Sequence, residues 1–274
     1  MDPKMKSIYS AFTGNIPENY DRYLGPMFFH DCARDLAARL AQEPPRHLLE
    51  IAAGTGIVTR HLRDHLPATS RIVATDLNDD MLRHARTRFA EDENIEFRAA
   101  DALALPFADG QFDGLVCQFG IMFFPDKVQG LREMRRVLKP GGRLFFSVWD
   151  ALEHNPLPRH TNAMLDGLFE GKPPAFLHTP FSYHDQDQIR RDMRAAGFAE
   201  AEFSTLQGEC RFPEPRHAAL GMITGSPLRL EIEQLGHVTI DEAVEEVAAG
   251  LERRFGAGDC CVPMRWTVIS SRHA

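Results

Sequence analysis

The segment at residues 47–59 constrains the fold of this chain more than any other. Residues 47–51 form an apolar run that is typical of a buried parallel strand. A turn of small residues at 52–56, containing Gly54 and Gly56, follows and leads into a helix. Small residues let the backbone approach a ligand closely, and the helix N-terminus offers free N–H groups. Open α/β sheets hold nucleotide-like ligands at such a turn, although many use it only to pack a strand against a helix.

Strands and helices alternate along the rest of the chain. After the first strand, further strands are predicted at residues 70–76, 95–101, 114–119, 143–149, 201–210 and 260–268. Helices are predicted within 7–42, after Asn78, and over 128–138 and 185–196. Alternation at this spacing predicts an α/β fold with a parallel, doubly wound sheet.

Acidic residues stand at or near the ends of the first three strands, at Glu50, Asp76 and Asp101. A carboxylate at the tip of the second strand can accept hydrogen bonds from both hydroxyls of a ribose. Asp76 is placed for that role. The alternative role is a helix cap, because a helix begins directly after Asn78.

The composition excludes several classes of protein. The chain of 274 residues carries 31 basic and 39 acidic residues, a net charge of -8, which argues against sequence-independent binding to nucleic acid. It contains no apolar run long enough to cross a bilayer and no signal peptide. The five cysteines are scattered without metal-ligand spacing, so free thiols, no metal site and a cytoplasmic location are predicted.

Four stretches of this sequence occur together in a recognisable order. They are Leu49-Glu50-Ile51-Ala52-Ala53-Gly54-Thr55-Gly56, Ala74-Thr75-Asp76, Asp101-Ala102 with Leu105-Pro106-Phe107, and Arg136-Val137-Leu138-Lys139-Pro140-Gly141-Gly142. In this order and spacing they resemble the class I S-adenosylmethionine-dependent methyltransferases, specifically the type-11 group that includes the ubiquinone/menaquinone C-methyltransferases. The resemblance covers residues 47–149. It implies a Rossmann-like methyltransferase fold with a mainly parallel seven-stranded sheet, an N-terminal helical lid and helical cap insertions.

The resemblance also implies S-adenosyl-L-methionine as cofactor and S-adenosyl-L-homocysteine as product. The residues it assigns to the cofactor are Tyr20, Tyr23, Glu50, Ala52, Gly54, Thr55, Gly56, Asp76, Leu77, Met81, Asp101, Ala102, Gln118 and Phe119. Glu50 and the glycine turn would hold the amino-acid part, and Asp76 the ribose. Asp101 would accept from the adenine amino group. Ala52 departs from the family pattern, which has glycine there.

Leu77 and Met81 would flank the adenine, and Gln118 and Phe119 would lie near the sulfonium. Tyr20 and Tyr23 would belong to the lid. Without the resemblance, the aromatic-rich segment that holds them favours a helix packed on the edge of the sheet over a lid.

The expected activity is methyl transfer by in-line displacement to an O, N, S or C atom of a small, aromatic or apolar metabolite. Alignment of the reactants can supply much of the rate enhancement, so a general base is optional. Residues 117–120 lack the Asp/Asn-Pro-Pro-Tyr/Phe clamp of nucleic-acid amino methyltransferases. A nicotinamide-dependent oxidoreductase is the alternative, but Thr59 stands where its third glycine belongs. A non-catalytic cofactor-binding protein is another.

Candidates for the substrate side follow the strands. His154 is the candidate base, and the alternative is a solvated loop histidine. The predicted substrate pocket comprises Met122, Phe123, Trp149 and His178. The aromatic residues after the fourth strand are equally consistent with a packing cluster at the start of a helix.

We predict a single methyltransferase domain over residues 1–274, acting as a monomer or homodimer. Its predicted parts are an N-terminal helical lid (1–43), a cofactor-binding core (44–149), cap insertions (150–183 and 213–258) and the rest of the sheet (184–212 and 259–274).

Overall fold

Seven strands form one sheet in the order β3-β2-β1-β4-β5-β7-β6 in a computed structural model, which describes residues 12–169 and 173–274. The strands are β1 (His47–Ile51), β2 (Arg71–Asp76), β3 (Ile95–Ala99), β4 (Phe112–Gln118), β5 (Leu138–Trp149), β6 (Glu202–Phe212) and β7 (Cys260–Arg272). The first five are parallel, and β7 runs antiparallel to both β5 and β6. The predicted doubly wound, mainly parallel seven-stranded sheet is confirmed.

The order of the strands places the site. β1 lies between β2 and β4, so the chain leaves β1 on one side of the sheet and returns to its other side through β4. A ligand crevice forms where the order reverses, outside the carboxyl ends of the strands. Leu48 and Leu49 in β1 are fully buried, which explains the continuous apolar run of a central parallel strand.

Helices cover both faces of the sheet. They are α1 (Ile16–Asn19), a π-helix (Tyr20–Phe29), α2 (His30–Ala41), α3 (Ile57–His65), α4 (Asp79–Arg86), α5 (Lys127–Val137), α6 (Pro156–Leu168), α7 (Gln186–Ala195), α8 (Pro215–Thr224), α9 (Leu228–Leu235) and α10 (Ile240–Phe255). Within the described residues, no helix has both the length and the apolar character to cross a membrane.

Two elements differ from the sequence-based expectation. The helical region predicted within residues 7–42 contains a π-helix, in which the N–H of His30 donates to the carbonyl of Gly25 five residues earlier. Pro26 lacks a backbone N–H, so the wider turn accommodates it without a break. The fifth strand also begins earlier than expected, because Leu138 already pairs with Phe112 before a shift in register.

The two adjacent cysteines of β7 show the alternation of side chains that is expected along a strand. Cys260 is buried and Cys261 is exposed, one on each face of β7. All five cysteines are free thiols.

Helix α8 supports the N-terminal helices through two glycines. A Cβ added at Gly221 would lie 2.8 Å from Met27 Cε and 3.0 Å from Tyr23 Cβ. At Gly225 it would lie 3.2 Å from Leu24 Cδ1. The π-helix therefore packs directly on the backbone of α8.

Arg63 holds the connection from α3 to β2. It is 9% exposed, and its guanidinium donates to the carbonyls of Ser70 (2.8 Å), Leu66 (2.9 Å), Glu93 (3.3 Å) and Pro67. The planar guanidinium of Arg63 thus donates to several carbonyls of this connection at once. The ammonium group of a lysine does not have the fixed, divergent N–H groups that this requires.

The ends of β1 and β4 meet in a strained contact. Ala52 and Phe119, which follow these strands, have φ values of 57° and 51°, in the left-handed region that disfavours side chains. A Cβ added at Gly120 would lie 2.5 Å from Ala52 Cβ and 2.9 Å from Cys117 Sγ. Gly120 therefore permits the approach of the two strand ends.

Replacing Arg63 with methionine is expected to lower the free energy of unfolding by about 2–3 kcal/mol, because the substitution leaves buried carbonyls without a donor. Urea unfolding measures the loss. Arg60→Met on the same helix is the matched control. Arg60 pairs with Asp64 and Glu93 nearer the surface, and its loss should cost less than about 1 kcal/mol. Equal losses in the two variants would contradict the assignment.

Gly120→Ala is expected to destabilise the protein by about 1–3 kcal/mol through overpacking against Ala52. The double variant Ala52→Gly/Gly120→Ala should recover at least half of that loss, since it removes the Cβ at the shortest contact. Urea unfolding of the two single variants and the double variant gives the coupling. Simple additivity of the two single effects would show that the contact does not limit the fold.

Candidate active site

A cavity of about 240 Å³ opens outside the carboxyl ends of β1, β2, β4 and β5. Most of the residues predicted for the site line it. They are Tyr20, Ala52, Gly54, Asp76, Leu77, Met81, Asp101, Ala102, Gln118, Phe119, Phe123 and Trp149. These residues come from strand ends, from the π-helix, from the start of α4 and from the segment after β4, so the fold brings together positions far apart in the sequence.

Glu50 lies beneath the cavity rather than in its lining. It is 1% exposed, and its Oε2 accepts from the Thr59 hydroxyl at 2.7 Å. Its Oε1 is buried without a hydrogen-bond partner among the described residues. Burial raises the pKa of Glu50 to about 8. A buried, half-satisfied carboxyl fits a cationic group bound beside it, which would favour the charged form.

The glycine turn is fixed by Asp76 and by the backbone. Gly54 and Gly56 have φ values of 56° and 81°, in the left-handed region that glycine adopts without strain. The Gly54 N–H donates to Asp76 Oδ2 at 2.9 Å, and the Asn78 N–H donates to Asp76 Oδ1 at 2.8 Å. Asp76 therefore joins the ends of β1 and β2, and burial raises its pKa.

Two turn residues face away from the cavity. Thr55 is buried and donates through Oγ1 to Asp21 at 3.2 Å. A Cβ at Gly56 would lie 3.2 Å from Ala85 Cβ, so this position packs against α4. Their contribution to the site is the shape of the turn.

The residues predicted to contact the adenine lie at the mouth of the cavity. Leu77 is 53% exposed, the one exposed large hydrophobic side chain of the described chain. Asp101 accepts the Leu103 N–H on Oδ1 at 2.8 Å. Leu77 and Met81 line the cavity with Ala102, so an apolar slot ends in a carboxylate and a backbone N–H.

Aromatic rings continue the cavity away from these carboxylates. Phe119 stacks on Trp149 with centroids 3.9 Å apart and an interplanar angle of 4°. Phe29 lies 6.0 Å from Phe119 and stacks on Tyr20 at 4.8 Å. These contacts, of the geometry that aromatic pairs prefer, connect the π-helix to the ends of β4 and β5.

Sequence reasoning missed much of this apolar wall. The additional lining residues include Leu24, Phe28 and Phe29 from the π-helix, Pro158, Phe176, Leu177, Pro180 and Phe181 from the first insertion, and Met222 and Ser226 from the second. Aromatic enrichment at residues 19–29 was the one signal available. The other positions lie in insertions whose path the local sequence does not specify.

Gln118 stands where the two parts of the cavity meet. It is 9% exposed, and its amide Nε2 donates to the Phe29 carbonyl at 3.4 Å. Its Oε1 is buried without a partner among the described residues. An amide left half-satisfied in an apolar wall indicates a bound group that donates to it.

Four further predicted residues do not line the cavity. His154 is half exposed, and its Nδ1 lies 3.1 Å from Asp150 Oδ2, so the structure agrees with the solvated-histidine alternative. The Tyr23 ring packs edge-on against His217 at 4.9 Å. Met122 is buried in the core, and His178 is exposed, although its neighbours Leu177 and Pro180 line the cavity.

The arrangement fits S-adenosyl-L-methionine. Glu50 supplies a buried carboxyl with a free oxygen, the glycine turn supplies close backbone approach, and Asp76 stands at the tip of β2. The apolar slot at Leu77 and Met81 suits a flat base.

Comparison with known proteins agrees with this fit. A family model described as "Methyltransferase domain" matches residues 49–146. The chain is 35% identical over 181 residues to a demethylmenaquinone methyltransferase of Deinococcus radiodurans, covering 60% of this chain and 73% of that protein. It is 34% identical over 175 residues to a ubiquinone/menaquinone biosynthesis C-methyltransferase of Enterobacter, covering 58% of this chain and 68% of that protein.

Solved structures share the fold. The YcgJ protein of Bacillus subtilis has a TM-score of 0.57 at 18% identity, covering 89% of this chain and 98% of its own. A phosphoethanolamine N-methyltransferase of Haemonchus contortus, solved with S-adenosyl-L-methionine, has a TM-score of 0.60 at 16% identity, covering 97% of this chain and 58% of its own. These comparisons favour a methyltransferase over a nicotinamide-dependent oxidoreductase. The chain belongs to the S-adenosylmethionine-dependent methyltransferases, in the family that includes the ubiquinone/menaquinone C-methyltransferases.

Proposed function

We propose that this enzyme methylates a small, apolar molecule with a hydroxylated aromatic ring. The observation that carries the proposal is the aromatic part of the cavity, which adjoins the glycine turn and is walled by Phe119, Trp149 and Phe181. Relatives named for demethylmenaquinone and for ubiquinone/menaquinone biosynthesis support a ring-containing substrate.

The apolar wall has enough surface to select such a molecule. Burying about 150 Å² of an aromatic ring contributes roughly 4 kcal/mol, and edge or offset contacts with Trp149 and Phe181 add to this. A polar amine of similar size would lose most of its hydration along this wall, and one hydrogen bond to Gln118 Oε1 would not replace it. Ser226 does not change this balance, because its hydroxyl already donates to the Met222 carbonyl at 2.7 Å.

On this proposal the cofactor residues keep the roles that the resemblance implies. Glu50 and the backbone at Ala52 and Gly54 hold the amino-acid part, and Asp76 holds the ribose. Asp101 and the Ala102 N–H recognise the adenine, which lies between Leu77 and Met81. Tyr20 covers the site from the π-helix, where it contacts Phe29.

Bound S-adenosyl-L-methionine supplies an electrophilic methyl carbon. The protein then has to align the acceptor and exclude water, which can account for about 7–11 kcal/mol of the barrier. The described residues that line the cavity include no histidine, lysine or cysteine. This favours an acceptor that is already nucleophilic, such as an ionised phenol or the ring carbon next to it, over one that needs a protein base.

The cytoplasmic location predicted from the sequence stays a proposal, supported by the five free cysteines. Action as a monomer or a homodimer also remains a prediction.

Glu50→Gln is expected to remove a pH dependence of stability. Between its ordinary value of 4.5 and its raised pKa of about 8, Glu50 binds more protons in the folded than in the unfolded protein. The free energy of unfolding of the cofactor-free protein therefore falls as pH rises through that window, and neutral glutamine abolishes this contribution. Thermal unfolding from pH 5 to 8.5 measures the slope. The exposed Glu18→Gln should leave it unchanged.

The same variant tests the binding role of Glu50. Cofactor affinity at pH 8 should fall about tenfold when the charged partner of the amino group is lost. Calorimetric titration with S-adenosyl-L-methionine measures it. Unchanged affinity together with an unchanged pH slope would place the charge of Glu50 outside the site.

The substrate class is tested with matched acceptors. With S-adenosyl-L-methionine and a chemical reductant, a 2-alkyl-1,4-naphthohydroquinone should be methylated, and phosphoethanolamine should not. Phe181→Ser is expected to lower kcat/KM for the alkylated acceptor by about tenfold through lost apolar burial, with cofactor affinity unchanged. Phe203→Ser, a half-buried site on β6, is the control. Methylation of phosphoethanolamine alone would overturn the substrate proposal.

A further inference from the structure

Asp21 connects the N-terminal helices to the glycine turn. It lies in the π-helix one residue after Tyr20, with 25% of its side chain exposed. Asp21 Oδ1 accepts from the Thr55 hydroxyl at 3.2 Å and from Arg88 Nη1 at 2.5 Å. Thr55 stands between Gly54 and Gly56, so the carboxylate contacts the turn that shapes the cofactor site.

Arg88 and His84 complete this cluster, which we call the latch (Asp21, Thr55, His84 and Arg88). Arg88 Nη1 also donates to the Thr55 carbonyl at 3.3 Å. His84 Nε2 lies 3.6 Å from Asp21 Oδ2. The carboxylate of Asp21 in the π-helix thus lies beside a guanidinium, an imidazole and a hydroxyl, none of which belongs to that helix. A second link lies nearby, where Asn78 Nδ2 donates to the Phe12 carbonyl at 3.0 Å.

The segment at residues 12–29 has two unlike sides. On one side Leu24 and Met27 are buried against the glycines of α8. On the other side, Asp21 forms polar links to the glycine turn, to His84 of α4 and to Arg88, and Phe29 contacts Phe119. Separating the α8 interface would expose apolar surface to water, whereas the partly exposed ion pair can exchange its protein partners for water as it opens.

This asymmetry decides which side opens. Leu77 is exposed and lines the cavity next to Asp76, which accepts from the N–H of Gly54, the neighbour of Thr55 in the latch. Tyr20 and Phe29 line the same cavity, and the Phe29 carbonyl accepts from Gln118. A cofactor that enters at this mouth must displace the segment from the turn, and the α8 contacts can persist as the hinge side.

We propose that Asp21 is a positioning residue for the cofactor: its latch to Thr55 and Arg88 fastens residues 12–29 over the glycine turn, and opening of the latch limits exchange of S-adenosyl-L-methionine and S-adenosyl-L-homocysteine. The ion pair therefore sets the rate of cofactor dissociation. The identity of the methyl acceptor does not enter this argument.

The test follows dissociation of S-adenosyl-L-homocysteine by stopped-flow fluorescence. Trp149 lines the cavity, and Trp266→Phe leaves it as the one tryptophan reporter. In this background, Asp21→Asn should release the ligand about tenfold faster, as expected for loss of a charge-assisted hydrogen-bond network. Added salt should accelerate release from the parent protein and leave the variant unchanged.

Asp31→Asn is the matched control, because it removes the same charge from the exposed Asp31–Arg34 pair on α2. Its dissociation rate should equal that of the parent. Arg88→Met provides an independent disruption from the other side of the latch and carries the test if Asp21→Asn does not fold. Thermal unfolding with and without ligand separates faster exchange from loss of structure.

The proposal is overturned if both latch variants release S-adenosyl-L-homocysteine within twofold of the parent rate, or if Asp31→Asn accelerates release equally. Release from the parent that does not respond to salt would also overturn it. None of these results bears on the substrate class, since no acceptor is present.

Discussion

The close approach of the β1 and β4 ends is the constraint on which the site depends. Ala52 and Phe119 both adopt left-handed backbone conformations there, and Gly120 fits only because it lacks a Cβ. The conformations of Ala52 and Phe119 each cost of order 1 kcal/mol, and a well-packed surrounding must offset them. The contact turns the backbone of both strands outward at one point. As a result, the glycine turn and the pair Gln118 and Phe119 face a common cavity.

Two buried polar side chains of the site lower the stability of the free protein, and a bound ligand can restore the lost free energy. Glu50 and Gln118 each keep one buried oxygen that has no hydrogen-bond partner within residues 12–169 and 173–274. Each is destabilising in the free protein, and each becomes satisfied when a complementary donor binds. Arg63 illustrates the opposite case, since its guanidinium is almost fully bonded to carbonyls of the fold. The contrast separates a polar group that maintains structure from one that awaits a ligand.

The sequence predicted the features that local pattern governs. Apolar runs identified the parallel strands, because strand periodicity acts over a few residues. Of the acidic residues at strand ends, Asp76 and Asp101 line the cavity and Glu50 is buried, and their roles toward the cofactor stay predictions. The π-helix was not predicted. Pro26 lacks the backbone N–H that an α-helix uses, and the hydrophobic periodicity of the sequence does not reveal the wider turn that accommodates it. The hydrogen bond between Asp21 and Arg88 joins residues 67 positions apart in the sequence, and local sequence patterns do not reveal it. His154 was proposed as a base only because it follows the fifth strand. In the structure, the contact of its Nδ1 with Asp150 Oδ2 decides how its side chain is oriented.

The aromatic wall explains why one segment serves both parts of the cavity. Tyr20 stacks on Phe29, Phe29 contacts Phe119, and Phe119 stacks on Trp149. The first two rings belong to the π-helix and the last two to the strands, so the segment cannot lift from the glycine turn without changing this row of contacts. Close-packed interiors transmit such displacements rather than absorb them. The cover of the cofactor and the wall of the apolar pocket are therefore one structural unit, and the proposed substrate pocket reaches its final shape only when the segment is seated.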